Sequence, residues 1–337
     1  MSKRNATNSV SNRVNGAKFF VGVDIGGTKI LAGLFEDELT IRARRKIRTP
    51  KSKSPGEVVE AVVGVVRGLL ADGNIRAEQI RAVGIGVPGF AKRGRVFQAY
   101  NIGCENFALA AAVRRRLRTP VVVENDCNLF TLGIHRVEFG GKPRTMAGIF
   151  FGTGVGGGLI LNGELHRGIN FAAAEFGQMI VDQHGERVPN TPRGSLESMA
   201  SHMGLVRQVR RAVRTGQKTI LQEELGRSLR GLGGDHLRWA VDKGDRLAVR
   251  VVREAAEATG ICVASLISAL APERVVLGGG VMEALGKVML PVIREVAGAN
   301  VLPGTMGGIE ICQTKLGGDG AIIGAAVSAQ DRPRGQD

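Results

Sequence analysis

The chain has 337 residues, of which 43% are hydrophobic and 23% are charged, a composition typical of folded globular proteins and not of disordered ones. A chain of this length can bury a large core and usually divides into two domains. Its 46 basic and 31 acidic side chains give a net charge of +15, which allows nucleic acid, an anionic membrane surface or a polyanionic substrate as partner, or a merely solubilising surface. The four cysteines form no CxxC pair, which argues against a disulfide framework and favours the reducing cytoplasm.

The beginning of the chain is predicted to be irregular. Residues 1–18 are polar, basic and free of acidic side chains, which is typical of a disordered tail. They contain no apolar stretch like that of a secretory signal, and no apolar run elsewhere reaches the ~18 residues of a membrane helix. We therefore expect no membrane partner.

Between the ends of the chain, short apolar runs alternate with helical patterns, which indicates an α/β protein. A strand, a glycine turn and a second strand occur around Gly26 and again around Gly152. Two similar halves that each open with a glycine hairpin predict a cleft with one hairpin on each side. The predicted strands cover 19–23, 30–35, 82–87, 120–123, 146–151, 159–161 and 274–277, and the predicted helices cover 55–70, 109–117, 129–134, 248–270 and 320–329.

The first glycine turn is interpreted as a phosphate-binding hairpin. Glycines at a hairpin tip allow backbone N–H groups to approach an anion closely, and Thr28 adds a hydroxyl donor. Asp24, at the end of the first strand, can hold Mg²⁺ directly or through water. A plain two-residue turn would explain Gly26 and Gly27 but neither the acid before them nor the threonine after them.

The second glycine run repeats this chemistry. Gly152, Gly154 and Gly157 match the GxGxxG dinucleotide fingerprint, but that fingerprint must open a helix, and residues 159–161 read as a strand. We therefore reject an NAD site and interpret Gly152, Thr153 and Gly154 as the tip of a second phosphate-binding hairpin. The chain contains no GxxxxGK[ST] phosphate loop either.

Two further groups of polar residues are candidates for chemistry. Glu124, Asn125 and Asp126 follow a strand and precede a helix, where a carboxylate can act as a base toward an alcohol or simply cap the helix. Glu175, Gln178 and Glu197 suit a polyhydroxylated ligand, although solvated loop acids are the plainer interpretation.

Taken together, the motifs resemble those of one family. Their order is similar to that in the ROK family of sugar kinases and sugar-responsive repressors, most closely its bacterial glucokinases, and the similarity extends from about residue 20 to 329. The resemblance implies a two-lobed actin/hexokinase-type (ribonuclease H-like) fold with an interdomain cleft. The tail 1–18 would precede a small lobe of 19–131 that is joined by the C-terminal helix 318–331, and the large lobe would be 132–317. The matching segments are 24–29, 87–89, 101–103, 124–128, 152–158, 175–177, 194–197 and 277–280.

The resemblance also implies an activity: transfer of a phosphoryl group from ATP to the 6-hydroxyl of glucose, with Asp126 as the general base. It further implies a cytoplasmic enzyme of glycolysis that forms a homodimer or higher homo-oligomer and binds no specific nucleic acid. Asp24 would bind Mg²⁺, most simply through water. The implied sugar-binding residues are Pro88, Gly89, Asn101, Asn125, Asp126, Glu175, Gln178 and Glu197, and the implied nucleotide-binding residues are Asp24, Gly26, Gly27, Thr28, Lys29, Gly152, Thr153, Gly154, Gly278, Gly279 and Gly280.

The resemblance fails at the family's zinc motif. That motif runs Cys-Gly-Cys-Gly-x-x-Gly-Cys-x-Glu, and a histidine that ends Glu-x-Gly-His supplies the fourth ligand. This chain has Val188, Asn190 and Ser195 at the cysteine positions and Gln178 at the histidine position. All four ligands are absent together, so we predict no structural zinc.

Four other functions are weighed against this one. A polyphosphate-dependent glucokinase would make use of the net charge, and a kinase for fructose, mannose or an N-acetyl sugar would keep the same motifs. A sugar-responsive repressor is disfavoured because only 18 residues precede the first strand, whereas a DNA-binding domain needs roughly 50. A non-catalytic sugar-binding protein is disfavoured because Asp24 and Asp126 are both retained.

Overall fold

The computed structural model describes residues 19–52 and 54–332, so the predicted tail lies outside the described residues. The chain divides into two compact units. The first unit runs to Val137 and resumes at Asp319, and the second spans Glu138–Gly318. The chain thus leaves the first unit later than residue 131, where we predict the boundary from the sequence.

The first unit is built on a mixed five-stranded sheet with the strand order β3-β2-β1-β4-β8. β1 to β3 are antiparallel neighbours, whereas β4 and β8 run parallel to β1. A small antiparallel sheet, β5-β6-β7, accompanies it. The elements are β1 (Phe19–Ile25), β2 (Lys29–Phe35), β3 (Ile41–Arg48), α1 (Pro55–Asp72), β4 (Ile80–Val87), β5 (Phe90–Lys92), β6 (Arg95–Ala99), β7 (Cys104–Phe107), α2 (Leu109–Leu117), β8 (Val121–Asn125), α3 (Asp126–Gly133) and, at the C-terminal end, Gly320–Gln330.

The second unit contains a sheet of the same design, with the order β11-β10-β9-β12-β13. Here too the first three strands are antiparallel neighbours and the last two run parallel to the central one. The repeated strand–turn–strand motif in the sequence therefore corresponds to a repeated sheet. The elements are β9 (Met146–Phe151), β10 (Val155–Leu161), β11 (Glu164–Leu165), α4 (Leu196–Ala200), α5 (His202–Arg214), α6 (Leu221–Leu225), α7 (Gly234–Asp242), α8 (Arg246–Leu270), β12 (Arg274–Gly278), α9 (Gly280–Ala299) and β13 (Glu310–Gln313), so the C-terminal helix Gly320–Gln330 is α10.

The predicted strands and helices are all confirmed, with two adjustments. α3 begins at Asp126, earlier than the predicted 129, because Asn125 caps it. The strand predicted over 159–161 begins at Val155. Elements that the sequence analysis did not predict include β3, the small sheet and the helices between residues 196 and 242 and between 280 and 299.

α1 illustrates why these residues form these elements. Its valines and leucines recur at helical spacing, and Pro55 occupies the first turn, where a missing N–H costs nothing. Val58, Val62 and Leu69 are completely buried in the core that α1 forms with the sheet of the first unit. No helix in the described part of the chain is long and apolar enough to cross a membrane.

Candidate functional site

The acidic residues predicted for the first unit lie at the carboxyl ends of β1 and β8, on either side of the parallel strand β4. In the β1–β4–β8 register, Asp24 is paired with Gly86, and Gly86 with Glu124. A Cβ atom on Gly86 would lie 3.6 Å from Asp24 Oδ1 and 3.5 Å from the Cα of Asp126. Gly86 thus separates Asp24 from Asp126 without filling the space between them.

The two carboxylates perturb each other. Burial raises the pKa of Asp24 to about 6, and only the charge of Lys29 lowers it. Burial, followed by the charge of Asp24, raises the pKa of Asp126 to about 7, against the hydrogen bond from the N–H of Cys127 to Asp126 Oδ1 at 2.9 Å. A carboxylate with a pKa near neutrality is suited to accept a proton at physiological pH. Among the residues that the structure describes, Lys29 is the one positive charge that lowers the pKa of either carboxyl. Two neighbouring carboxylates with so little positive charge around them also suit a hard divalent cation such as Mg²⁺.

The start of α3 fixes Asp126. Asn125 caps the helix, because its Oδ1 accepts the N–H of Asn128 at 2.9 Å, while its Nδ2 donates to the carbonyl of Gly89 at 3.3 Å. The buried Glu124 accepts the N–H of Asn125 at 2.9 Å and the side-chain amide of Asn128 at 3.2 Å. The capping interpretation therefore holds for Asn125, and it leaves the Asp126 carboxylate on the first turn of the helix.

The first glycine hairpin is anchored by a residue that the sequence analysis missed. Thr49, just after β3, donates its hydroxyl to the carbonyl of Gly26 at 2.6 Å. Its N–H donates to the carbonyl of Thr28 at 3.1 Å. Gly27 is exposed at the tip, and a Cβ there would lie 3.6 Å from the Cβ of Asn101. The structure thus brings Asn101 beside the hairpin.

Two further candidates, Pro88 and Gly89, directly follow β4. Gly89 packs on the carbonyl of Gln98.

In the second unit, Glu197 holds the second glycine hairpin. The N–H of Val155, directly after the tip, donates to Glu197 Oε2 at 2.8 Å. A Cβ on Gly154 would overlap that same carboxylate, so a side chain there would displace it. The hairpin is held from the other side by the N–H of His202, which donates to the carbonyl of Gly152 at 3.0 Å. Thr153 is exposed at the tip.

The remaining polar candidates of the second unit lie close to this hairpin. Burial and, secondarily, the charge of Glu197 raise the pKa of Glu175, which shows that the two carboxylates are neighbours. Gln178 lies in the short 3₁₀ turn Phe176–Gln178, and Gly177 in the same turn packs directly on the carbonyl of Val155. Glu175 and Glu197 are therefore neighbours beside the second glycine tip, and Gln178 lies in the turn that follows Glu175.

The glycines at 278–280 lie at the same edge of the second sheet. Gly278 ends β12 and is paired with Phe150 of β9, and α9 begins at Gly280. Gly279 has a φ of +87°, and a Cβ there would collide with the backbone of Phe151. Only glycine fits this turn, which places the start of α9 next to the end of β9, where the second hairpin begins.

The donor set of the family's zinc motif does not fit zinc in this chain. Zinc in structural sites takes thiolates and imidazoles, and none of Gln178, Val188, Asn190 and Ser195 supplies one. Within residues 19–52 and 54–332, no three His, Cys, Asp or Glu side chains form a group that could hold a metal ion. The absence of a structural zinc remains a prediction.

The chain is similar to known proteins in both sequence and fold. Residues 20–332 match the ROK family. The chain is 34% identical over 320 residues to a glucokinase of Streptomyces coelicolor, covering 92% of this chain and 97% of the relative. It is 32% identical over 310 residues to a glucokinase of Halalkalibacterium halodurans, covering 91% and 93%. A crystal structure of a ROK family glucokinase from Streptomyces griseus in complex with glucose and AMPPNP superposes with a TM-score of 0.80 at 33% identity, covering 93% of this chain and 100% of that chain.

Proposed function

Because this chain belongs to the ROK family and is a sugar kinase, we propose that it transfers the γ-phosphoryl group of MgATP to the 6-hydroxyl of glucose. The observation that carries the proposal is the pair Asp24 and Asp126 at the strand ends, with pKa values raised to about 6 and about 7. A base with a pKa near 7 and a neighbouring acid for a metal are the two groups that phosphoryl transfer to an alcohol requires.

Asp126 accepts the proton of the sugar 6-hydroxyl while that oxygen attacks the γ-phosphorus. The bond from the γ-phosphorus to the β–γ bridging oxygen breaks, so glucose 6-phosphate and ADP leave and the proton stays on Asp126. Asp24 would hold Mg²⁺, directly or through water, and the metal would supply positive charge to the phosphates. The rest of the catalysis is positioning.

The other candidates divide between the two substrates. The backbone N–H groups of the two glycine tips face the phosphates, with Thr28, Lys29 and Thr153 beside them, and the 278–280 turn receives the adenosine. The residues proposed to bind the sugar are Pro88, Gly89, Asn101, Asn125, Glu175, Gln178 and Glu197. We further propose a cytoplasmic enzyme that works as a homodimer or higher homo-oligomer.

The proposal is tested by measuring phosphorylation with the purified protein. Glucose, fructose, mannose and N-acetylglucosamine are offered as acceptors, and MgATP and linear polyphosphate as donors. We expect glucose with MgATP to give the highest kcat/KM. A higher kcat/KM for another hexose would redirect the proposal to that sugar, and no turnover with any pair would refute a kinase.

Polyphosphate is a second candidate donor because of a row of cations beside the first hairpin. In the β2–β3 register, Lys29 is paired with Arg48, and Lys46 lies on the same face two residues along β3. All three are exposed. Like charges directly opposite each other destabilise a sheet. A bound polyanion would reduce this repulsion between Lys29 and Arg48. Turnover with polyphosphate that falls steeply as salt rises would support this donor.

The pH dependence of the reaction follows from the raised pKa of Asp126. Since the base must be ionised, kcat/KM is expected to fall roughly tenfold from pH 8 to pH 6. Unfolding does not explain such a loss: because both carboxyls bind protons more tightly in the folded state, they make the fold more stable as the pH falls from about 7 toward 4. Thermal midpoints at both pH values provide the control, and a flat kcat/KM profile would contradict the assignment.

Thr49→Val tests the anchoring of the first hairpin. Losing the hydroxyl bond to Gly26 is expected to raise the KM for ATP about threefold to tenfold, with a smaller change in the KM for glucose. Thr119→Val is a matched control, because Thr119 is similarly buried and also donates to a backbone carbonyl, that of Leu117 at 3.2 Å. Equal KM values for ATP in the two variants would exclude a role for Thr49.

A further inference from the structure

The segment between Gln178 and Glu197 forms a closed loop. Ile180 and Ser195 are bridged as antiparallel partners. The N–H groups of Val181 and Asp182 donate to the carbonyl of Gly194 at 3.0 and 3.2 Å. Gly194 has a φ of +62°, and a Cβ there would overlap the carbonyl of Asp182. The two arms of the loop are therefore pressed together directly before Glu197.

Ser195, at a position where the zinc motif would place a cysteine, caps a helix here. Ser195 is completely buried, and its hydroxyl accepts the N–H of Ser198 at 3.3 Å as the cap of α4. The hydroxyl of Ser198 donates back to the carbonyl of Ser195 at 2.7 Å. This pair of bonds fixes the first turn of α4, on which Glu197 lies.

Arginine side chains fasten the outer part of the loop. Arg193 donates to the carbonyls of Gly185 at 2.7 Å and His184 at 3.4 Å. Arg207 of α5 donates to Glu186 Oε2 at 3.4 Å and also to the carbonyl of Ser198 in α4. Arg211, one turn further along α5, lies 3.3 Å from Glu186 Oε1. Glu186 is thus held by two arginines, and one of them also holds α4.

We propose that these residues, Glu186, Arg193, Arg207 and Arg211, form an arginine brace that replaces a structural zinc and positions Glu197. The claim that the brace positions Glu197 for the reaction rests on the proposed function, since it assumes that Glu197 contacts the sugar. The ion pairs are partly exposed, with 27%, 62% and 39% of the side chains of Arg207, Arg211 and Glu186 accessible. Such pairs are weakened by salt and unaffected by chelators, which distinguishes the brace from a metal site.

Metal analysis tests the replacement itself without any assay of turnover. The full-length protein, purified without chelator, is expected to contain far less than one zinc per chain by elemental analysis. Its thermal midpoint is expected to be unchanged by excess EDTA. Stoichiometric zinc, or a midpoint lowered by EDTA, would overturn the proposal.

Glu186→Gln tests the positioning role. It removes the charge that Arg207 and Arg211 share and keeps the shape of the side chain. The KM for glucose is expected to rise about threefold to fivefold with kcat nearly unchanged. Glu257→Gln is the matched control, because Glu257 is similarly exposed and pairs with Arg253 within α8 at 2.8 Å, with neither residue in contact with the brace. A Glu186→Gln variant with the kinetic constants of Glu257→Gln would refute the positioning role.

Proteolysis separates failure of the brace from failure of the proposed activity. Arg187 and Arg193 are exposed trypsin sites within the loop. We expect trypsin to cleave there several-fold faster in Glu186→Gln than in Glu257→Gln, whether or not the protein turns over glucose. Equal cleavage rates would overturn the brace, whereas faster cleavage in a protein that phosphorylates no hexose would refute only the proposed function.

Discussion

Asp126→Asn is expected to lower kcat by about 10²–10⁴-fold, the usual contribution of a general base, and at the same time to raise the thermal midpoint. An asparagine Oδ1 can still accept the N–H of Cys127, which donates to Asp126 at 2.9 Å. It cannot take up the proton of an attacking hydroxyl. The measurement is kcat with saturating substrates beside a thermal melt at pH 8.

The stability gain follows from the direction of the pKa shift. The pKa of Asp126 is raised from 3.8 to about 7 by burial and by Asp24, so above pH 7 the folded state carries a charge that it tolerates poorly. A neutral amide removes that penalty. One pKa unit corresponds to about 1.4 kcal/mol; because Asp126 retains some solvent exposure, we expect only about 1–3 kcal/mol of added stability.

Asp245→Asn is the matched control, and its effect should have the opposite sign. Asp245 caps α8 by accepting the N–H of Ala248 at 2.8 Å, and its second oxygen accepts the N–H of Ile220 at 2.9 Å. An asparagine cannot accept both bonds, so stability should fall by about 1–2 kcal/mol while kcat is unchanged. If Asp126→Asn retained its turnover, Asp126 would not be the general base. If its thermal midpoint were lowered, the charge of Asp126 would not destabilise the folded state above pH 7.

Much of the fold is predictable from local patterns. The apolar spacing of α1 and α8 and the glycine turns between short strands indicate the elements directly, and their repetition indicates two related halves. β3 is missed because its exposed face is entirely basic, with Arg42, Arg44, Lys46 and Arg48 alternating outward. α9 is missed because Pro291 lies inside it, and an interior proline normally argues against a helix.

The candidate site also has parts that local sequence patterns indicate and parts that they do not. Asp24, Asp126 and the glycine tips are conspicuous because each is an unusual residue at the end of a predicted element. The contacts that hold these tips are hidden in the sequence, since Thr49 reaches Gly26 and Glu197, a candidate for the sugar, reaches Val155 from distant parts of the chain. A single sequence therefore indicates candidate groups for chemistry, whereas the contacts that hold them are visible only in the structure.

The glycines of the first sheet are a further case of tertiary packing that a sequence alone conceals. Gly33, Gly22 and Gly84 lie side by side across β2, β1 and β4. A Cβ on Gly22 would overlap the carbonyl of Ile322, and one on Gly84 would overlap the carbonyl of Ala325. α10 therefore rests directly on the backbone of the strands that carry Asp24 and Gly86.

Gly84→Ala is accordingly expected to destabilise the protein by at least about 3 kcal/mol, because the added methyl group meets a backbone that can move only if the whole of α10 shifts. The measurement is the midpoint of urea unfolding, or the soluble yield where the variant does not fold. Gly64→Ala is the control: Gly64 lies in the middle of α1 with nothing within 4 Å of its added Cβ. That change should stabilise the helix by up to about 1 kcal/mol. The same methyl group should therefore act with opposite sign at the two sites, and equal unfolding midpoints would show that α10 does not rest on the strands as described.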